Sequence, residues 1–186
     1  DRYHDAHTAQ RALDLAWTAT QIELRELGIT PADAAVFQEL AAHLLYSSPA
    51  VRAPQEERER NSGSRERLWA VGVSGDWPIV LATIDSADGL PTLRSLLAAH
   101  RFWRRRGMTV DLVIVNAQAP GYFQELTDRL NEAIFAAGDT TYVDQPGGIF
   151  VRRQDLLGAT DRAMLTATAR LLIACDGRSL DRIARL

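Results

Sequence analysis

Three short apolar runs, Ile79–Ile84 (IVLATI), Val110–Val115 (VDLVIV) and Gly148–Val151 (GIFV), recur along the second half of this 186-residue chain. They are separated by stretches whose apolar residues repeat at the helical period, Leu90–Arg106 and Gly121–Ala137, and a further such stretch follows at about Thr160–Leu172. Strands held this far apart cannot close as tight hairpins, so they pair in parallel through helical crossovers. Parallel strands are covered on both faces, which is why they read as continuous apolar runs and not as alternating ones. Residues 68–186 are therefore read as a small α/β module with a three- to four-stranded, mostly parallel sheet and flanking helices. The uncertain member is Leu171–Cys175 (LLIAC), which periodicity alone assigns equally well to a helix end or to a strand.

The first fifty residues carry a different pattern. From about Ala9 to Leu27, apolar groups fall at Leu13, Ala16, Trp17, Thr20, Leu24 and Leu27, with Gly28 as a C-terminal stop. Leu15 and Ile22 lie off that stripe, which predicts a helix clasped between two bodies. Thr30, Pro31 and Asp33 then spell a capped second helix running to about Tyr46. The two make a connector helical hairpin over residues 1–50. Residues 51–67 (VRAPQEERERNSGSRER) are charged and offer few core-forming groups, and they are read as an exposed linker. The mixed-sign EERER run within them is read as a solvated face.

Charge and cysteine usage exclude several classes. Twenty-one basic against 24 acidic residues leave a net charge of -3, so there is no overall positive field to gather a phosphate backbone, and nucleic acid is not an expected partner. All the basic residues are Arg, to which no function is attached. A single Cys175 can form neither an internal disulfide nor a thiolate zinc site, and it reads as a small buried thiol. No apolar run approaches the ~20 residues that cross a bilayer, so this piece reads as soluble. Its start at Asp1 without a Met reads as an excerpt from a longer polypeptide.

The candidate chemistry centres on Gly72-Val73-Ser74-Gly75-Asp76-Trp77-Pro78. Two glycines permit a tight turn, and Ser74 and Asp76 can hold either backbone donors or a ligand hydroxyl. A serine-hydrolase elbow needs glycine two residues either side of the serine, but Asp76 occupies one of those positions. A phosphate loop needs a lysine that is absent. Asn116, after the second strand, could bond a sugar hydroxyl or cap a turn. Pro146-Gly147-Gly148 supplies turn conformations before the third strand. His4 and His7 lack a third ligand nearby in sequence, while His43 and His100 fall within helices as packing residues. No metal, no cofactor and no pair of catalytic carboxylates is expected. The Arg104-Arg105-Arg106 cluster sits in the last helical turn before Gly107, where the negative helix end accounts for it, a phosphate or sugar contact being the alternative.

Several stretches together resemble one family. They are LAWTATQIELRELGI (Leu15–Ile29), FQELAAHLLY followed by SSPAVRA (Phe37–Ala53), LWAVGVSGDWPIVL (Leu68–Leu81), LLAAHRFWRRRGMTVDLVIVN (Leu96–Asn116), YFQELTDRL (Tyr122–Leu130) and PGGIFVRR (Pro146–Arg153). In this order they resemble an internal stretch of the cyclic β-1,2-glucan synthases, very long membrane enzymes with a glycosyltransferase family 84 part and a region related to glycoside hydrolase family 94. The most specific match is to a phrase G-I-S-G-D-L-P-I, from which Val73 and Trp77 depart. The resemblance implies connector helices and a small α/β module following a phosphorylase-type β-sandwich. It also implies a parent, at the cytoplasmic side of a bacterial inner membrane, that makes an osmoregulatory cyclic glucan from UDP-glucose, trims it by phosphorolysis and closes the ring. The catalytic motifs of that parent lie outside these residues.

The expectation is thus a noncatalytic module that positions neighbouring domains of the synthase, its partners, with Ser74, Asp76, Trp77 and Asn116 as ligand-binding candidates toward β-1,2-glucan. A stand-alone glycoside phosphorylase or hydrolase is the alternative. A nucleotide-binding α/β protein is a third reading, weakened by the missing glycine fingerprint.

Overall fold

The apolar runs are neighbours in one all-parallel sheet, seen in a computed structural model that describes residues 6–61, 66–118 and 123–185. Strand β1 (Ile79–Ile84) lies between β2 (Asp111–Asn116) and β4 (Leu171–Cys175), and β3 (Ile149–Arg153) pairs with the outer side of β2. The ambiguous LLIAC run is a strand, with Val80 opposite Leu171 and Ile84 opposite Cys175. Its neighbour decided the matter, because the free edge of β1 supplies the backbone partners that a helix end there would not need.

Pleating divides each strand between two cores. Val80, Ala82 and Ile84 of β1, with Leu112 and Ile114 of β2 and Ile173 of β4, face one cluster. Ile79, Leu81, Val113, Val115 and Phe150 face the other. The first face is covered by α5 (Leu90–Arg105) and α6 (Phe123–Ala136); the second is covered by α4 (Glu66–Ala70) and α7 (Ala159–Thr168). The connection through α7 carries the chain from the β3 edge to the far side of β1, giving the order β3-β2-β1-β4.

The helical hairpin joins the first face. Thr30 caps α2 (Pro31–Tyr46) in a reciprocal capping box with Asp33, and Pro31 opens the helix. Its Phe37, Leu40 and Leu44 enter the same apolar cluster as the sheet. Phe37 meets Phe102 of α5 edge-to-face at 5.7 Å, and the Trp103 indole donates to the Phe37 carbonyl at 2.8 Å. A short α8 (Asp181–Ala184) packs beside it, where His43 donates to the Ala184 carbonyl at 2.9 Å.

Burial refines two of these expectations. The exposed linker at 51–67 begins with Val51 and Ala53 buried and contains a short helix α3 (Gln55–Arg60). Arg52 donates to the Ala169 carbonyl at 3.3 Å, and Arg58 to the Ala53 carbonyl at 3.2 Å. Burial of Val51 and Ala53 and the Arg52 bond tie the start of this stretch to the fold, while its residues 62–65 lie outside the described residues. Within the described residues the first helix, α1 (Ala6–Leu27), is covered only near its C-terminal end, so the second body expected to clasp it does not lie among them. Leu24 and Leu27 are buried, while Leu13, Leu15, Trp17 and Ile22 are 66%, 71%, 68% and 52% exposed.

Candidate functional site

The Gly72–Pro78 loop is a turn braced by its own residues and by Trp69. Gly72 and Gly75 adopt φ of 80° and 74°, a region costly for residues with a Cβ. A Cβ on Gly72 would also meet the tip of the Arg152 side chain, which would have to move aside. Val73 between them is buried and anchors the loop to the second core. The Trp69 indole donates to the Ser74 carbonyl at 3.2 Å, and the Asp76 amide to Ser74 Oγ at 3.2 Å. The Ser74 hydroxyl thus braces the turn, and Trp77 is left 44% exposed beside it.

This loop stands at the N-terminal edge of the sheet, where the Asp111 amide donates to the Pro78 carbonyl at 3.0 Å. Asp111 itself is wholly buried. Its Oδ1 accepts the Gly147 amide at 2.7 Å, so it fixes the Pro146–Gly148 turn that feeds β3. Burial pushes the Asp111 carboxyl up, the Gly147 amide pulls it back, and the charge of Asp76 adds to the rise. His100 is also buried, with Nε2 donating to the Val110 carbonyl at 2.9 Å. Desolvation lowers its pKa to about 4, so the imidazole is neutral. The influence of Asp76 on Asp111 across this edge is not revealed by linear spacing. Asp111 is enclosed and bound to backbone, which suits it to hold a turn and not to reach a substrate.

Asn116 is not part of that group. It closes the opposite end of β2, paired with Ile84 while Asp111 pairs with Ile79, and five residues of strand put roughly 16 Å between the two ends. There Asn116 Oδ1 accepts the Gln118 amide at 3.0 Å and Nδ2 donates to Thr127 Oγ1 at 3.2 Å. It ties Gln118, and Thr127 of α6, to the end of β2. The four candidates therefore separate into a trio, Ser74, Asp76 and Trp77, and a distant capping residue. Pro146–Gly148 likewise lies at the N-terminal edge, because it precedes its strand.

Ligands of open parallel sheets sit at the C-terminal edge, where the crossovers reverse direction; here that point lies between β1 and β4. The chain fills it with its own backbone. A Cβ on Gly89 would come within 2.1 Å of the Cys175 carbonyl oxygen, and one on Gly177 within 3.0 Å of the Asp88 carbonyl oxygen. Thr92 Oγ1 donates to the Arg178 carbonyl at 2.7 Å. The turn after β1 also carries Asp85 and Asp88, which repel the phosphates that such turns cradle in nucleotide-binding proteins.

The larger grooves among the described residues lie elsewhere. One of about 490 Å³ runs beside β3, and its charges are engaged: Arg152 pairs with Asp144 at 2.8 Å, and Arg153 with Asp155 at 2.6 Å. Arg152 also donates to the Val151 and Val71 carbonyls, which blocks the edge of β3 against another strand. The second, about 400 Å³, lies among α1, α5 and α6. Here the arginine cluster has a role beyond neutralising a helix end. Arg104 hydrogen-bonds Asp139, whose side chain is 1% exposed, while Arg105 and Arg106 pair with Glu26 and Glu23 of α1 at 2.5 and 2.7 Å. Arg101 donates to the Ala137 carbonyl at 2.9 Å. Burial pushes the Asp139 carboxyl up, with Arg104 opposing the shift. Sequence reasoning missed Trp69, Asp111 and Asp139; a lone carboxylate opening an apolar run, as Asp111 does, was the one available signal.

Among the described residues there is no cluster of three or more His, Cys, Asp or Glu able to hold a metal; His4 lies outside them. Also among the described residues, no helix is long and apolar enough to cross a membrane.

No family model matches the chain. A search of known proteins finds the cyclic beta-(1,2)-glucan synthase NdvB of Rhizobium meliloti (strain 1021), 35% identical over 187 residues. The similarity runs through 100% of this chain but only 7% of that relative. Sharing this identity from end to end, the chain is related to an internal segment of a cyclic β-(1,2)-glucan synthase.

Proposed function

We propose that the segment is a noncatalytic positioning module of a cyclic β-(1,2)-glucan synthase, with a glucan contact at the Gly72–Pro78 loop. The observation that carries the noncatalytic half is the filled C-terminal edge of the sheet. Where this strand order would open a ligand crevice, Gly89 lies against the Cys175 carbonyl and Thr92 against that of Arg178. The polar groups beneath the other edge, Asp111 and His100, are buried and bonded to backbone. In this reading the glycosyl transfer from UDP-glucose and the phosphorolytic trimming belong to other parts of a membrane-anchored parent, at the cytoplasmic face of the inner membrane. These residues hold such parts in register.

The test is direct. The 186-residue chain incubated with β-1,2-glucan and phosphate is expected to release neither glucose 1-phosphate nor new reducing ends; sustained turnover would establish a stand-alone phosphorylase or hydrolase instead. The glucan contact is favoured by the half-exposed Trp77 ring beside Ser74 and Asp76, since an aromatic face and short polar groups suit a neutral sugar. Titration calorimetry with linear β-1,2-glucooligosaccharides is expected to give heat that Trp77→Ala abolishes. No heat at millimolar ligand leaves positioning alone.

A further inference from the structure

The apolar stripe that seats α1 continues beyond its packing. Leu24 and Leu27 are buried, and the same face continues toward the N-terminus through Thr20, Trp17 and Leu13, all exposed. A second row, Leu15 and Ile22, is also exposed, and Ala12, Ala16 and Ala19 lie between the two rows. At 3.6 residues per turn these positions occupy more than half of the helix circumference. Gln10, Arg11, Asp14, Thr18, Gln21 and Arg25 fill the remaining sector.

Residues 9–20 are exposed on every side, and a helical stretch of that length is marginal in water without tertiary support. Its own side chains add only local bonds, such as Gln10 to Asp14 at 3.0 Å. Its base, by contrast, is fixed in direction by Arg105–Glu26 and Arg106–Glu23.

Three properties select the occupant. The apolar arc is too wide for one facing helix of a second copy to cover, since pairing along Leu13 and Trp17 would leave Leu15 and Ile22 wet; a groove that embraces the helix covers both rows. The polar sector mixes Arg11 and Arg25 with Asp14 and has no basic belt for a lipid surface. The Leu13–Trp17 stripe is continuous with an interface already formed at Leu24 and Leu27, so the occupant extends that interface. The related segment makes up only 7% of its polypeptide, which leaves ample chain to form a groove.

We propose that the free length of α1 docks, through Leu13, Leu15, Trp17 and Ile22, in an apolar groove made by another part of the same polypeptide, outside these 186 residues. The inference rests on the positioning role proposed above and names where that contact is made. It is tested in the full-length polypeptide that carries the segment, with Trp17 replaced by the photo-cross-linker p-benzoylphenylalanine and adducts mapped by mass spectrometry. The expected adduct joins position 17 to a site outside the segment on the same molecule. Its yield is unchanged by tenfold dilution and is cut at least about tenfold by Leu13→Asp; the same probe at Asp14 gives no such adduct. A yield that falls on dilution, an adduct to lipid, or no adduct overturns the proposal. Turnover by the isolated chain would remove the noncatalytic reading while leaving this cross-link intact, so the two failures are distinguishable.

Discussion

Replacing Arg104 by Met removes the hydrogen-bonded partner of a carboxylate that cannot reach water. The Asp139 side chain is 1% exposed and that of Arg104 17%, so solvent does little to screen the pair. Breaking a buried pair from one side costs about 3–5 kcal/mol, against about 0–1 for an exposed one. Arg101 still stands 3.9 Å from Asp139, and Met retains much of the arginine stem, so the lower end, about 3 kcal/mol, is expected. Urea unfolding followed by circular dichroism at neutral pH measures it. Asp139→Asn in the Arg104→Met background is expected to recover part of the loss, because it removes the stranded charge. The pH dependence has a definite sign. The folded Asp139 carboxyl lies above its ordinary value, so the folded state binds this proton more tightly. Its contribution is fully present below the unfolded value and is lost as pH rises through the folded one. The deficit of Arg104→Met therefore narrows as pH falls toward about 4. A deficit under about 1 kcal/mol, or one that Asp139→Asn leaves unchanged, would refute the view of this cluster as a buried staple.

Three further outcomes follow from buried groups. The folded pKa of His100 at about 4 lies below its unfolded value, so its stabilising contribution is complete above pH ~6.5 and is lost as pH falls toward 4. A difference of that size is worth about 3 kcal/mol, and His100→Gln is expected to flatten this part of the stability profile; an unaltered slope contradicts the neutral buried ring. Gly89→Ala drives a methyl to 2.1 Å from the Cys175 carbonyl oxygen, and a loss of about 3 kcal/mol or more is expected in thermal unfolding, with a neutral result meaning that the turn can move away. Cys175 is buried with its thiol pushed up to about 12, so a thiol-specific disulfide reagent is expected to label it only after denaturation; rapid labelling of the native chain counts against its enclosure.

Much of the fold was written in local pattern. The capping box at Thr30 and Asp33, the span of α5 and the parallel pairing of β1 and β2 are short-range or periodic features, and each was expected where it occurs. The site was less legible. Ser74, Asp76 and Trp77 share one loop by virtue of sequence adjacency, but their relation to Asp111 requires β1 and β2 to pair in a register that linear spacing does not encode. Asn116 follows its strand while that loop precedes one, and parallel pairing therefore sets them at opposite edges of the sheet.

The alternation of strands and helices, the turn glycines and a kinship carried by whole phrases such as LWAVGVSGDWPIVL are legible in the linear order of residues. These depend on backbone preference and on periodicity, which act over a few residues. It took the folded arrangement to show that LLIAC is a strand, that Val51 and Ala53 are core, that Arg105 and Arg106 tie α5 to α1 while Arg104 pairs with Asp139, and that α1 leaves an apolar flank uncovered within these residues. Burial and ion pairing depend on which groups the chain brings together from a distance, and a carboxylate such as Asp139 acquires its energetic weight only when water is excluded around it.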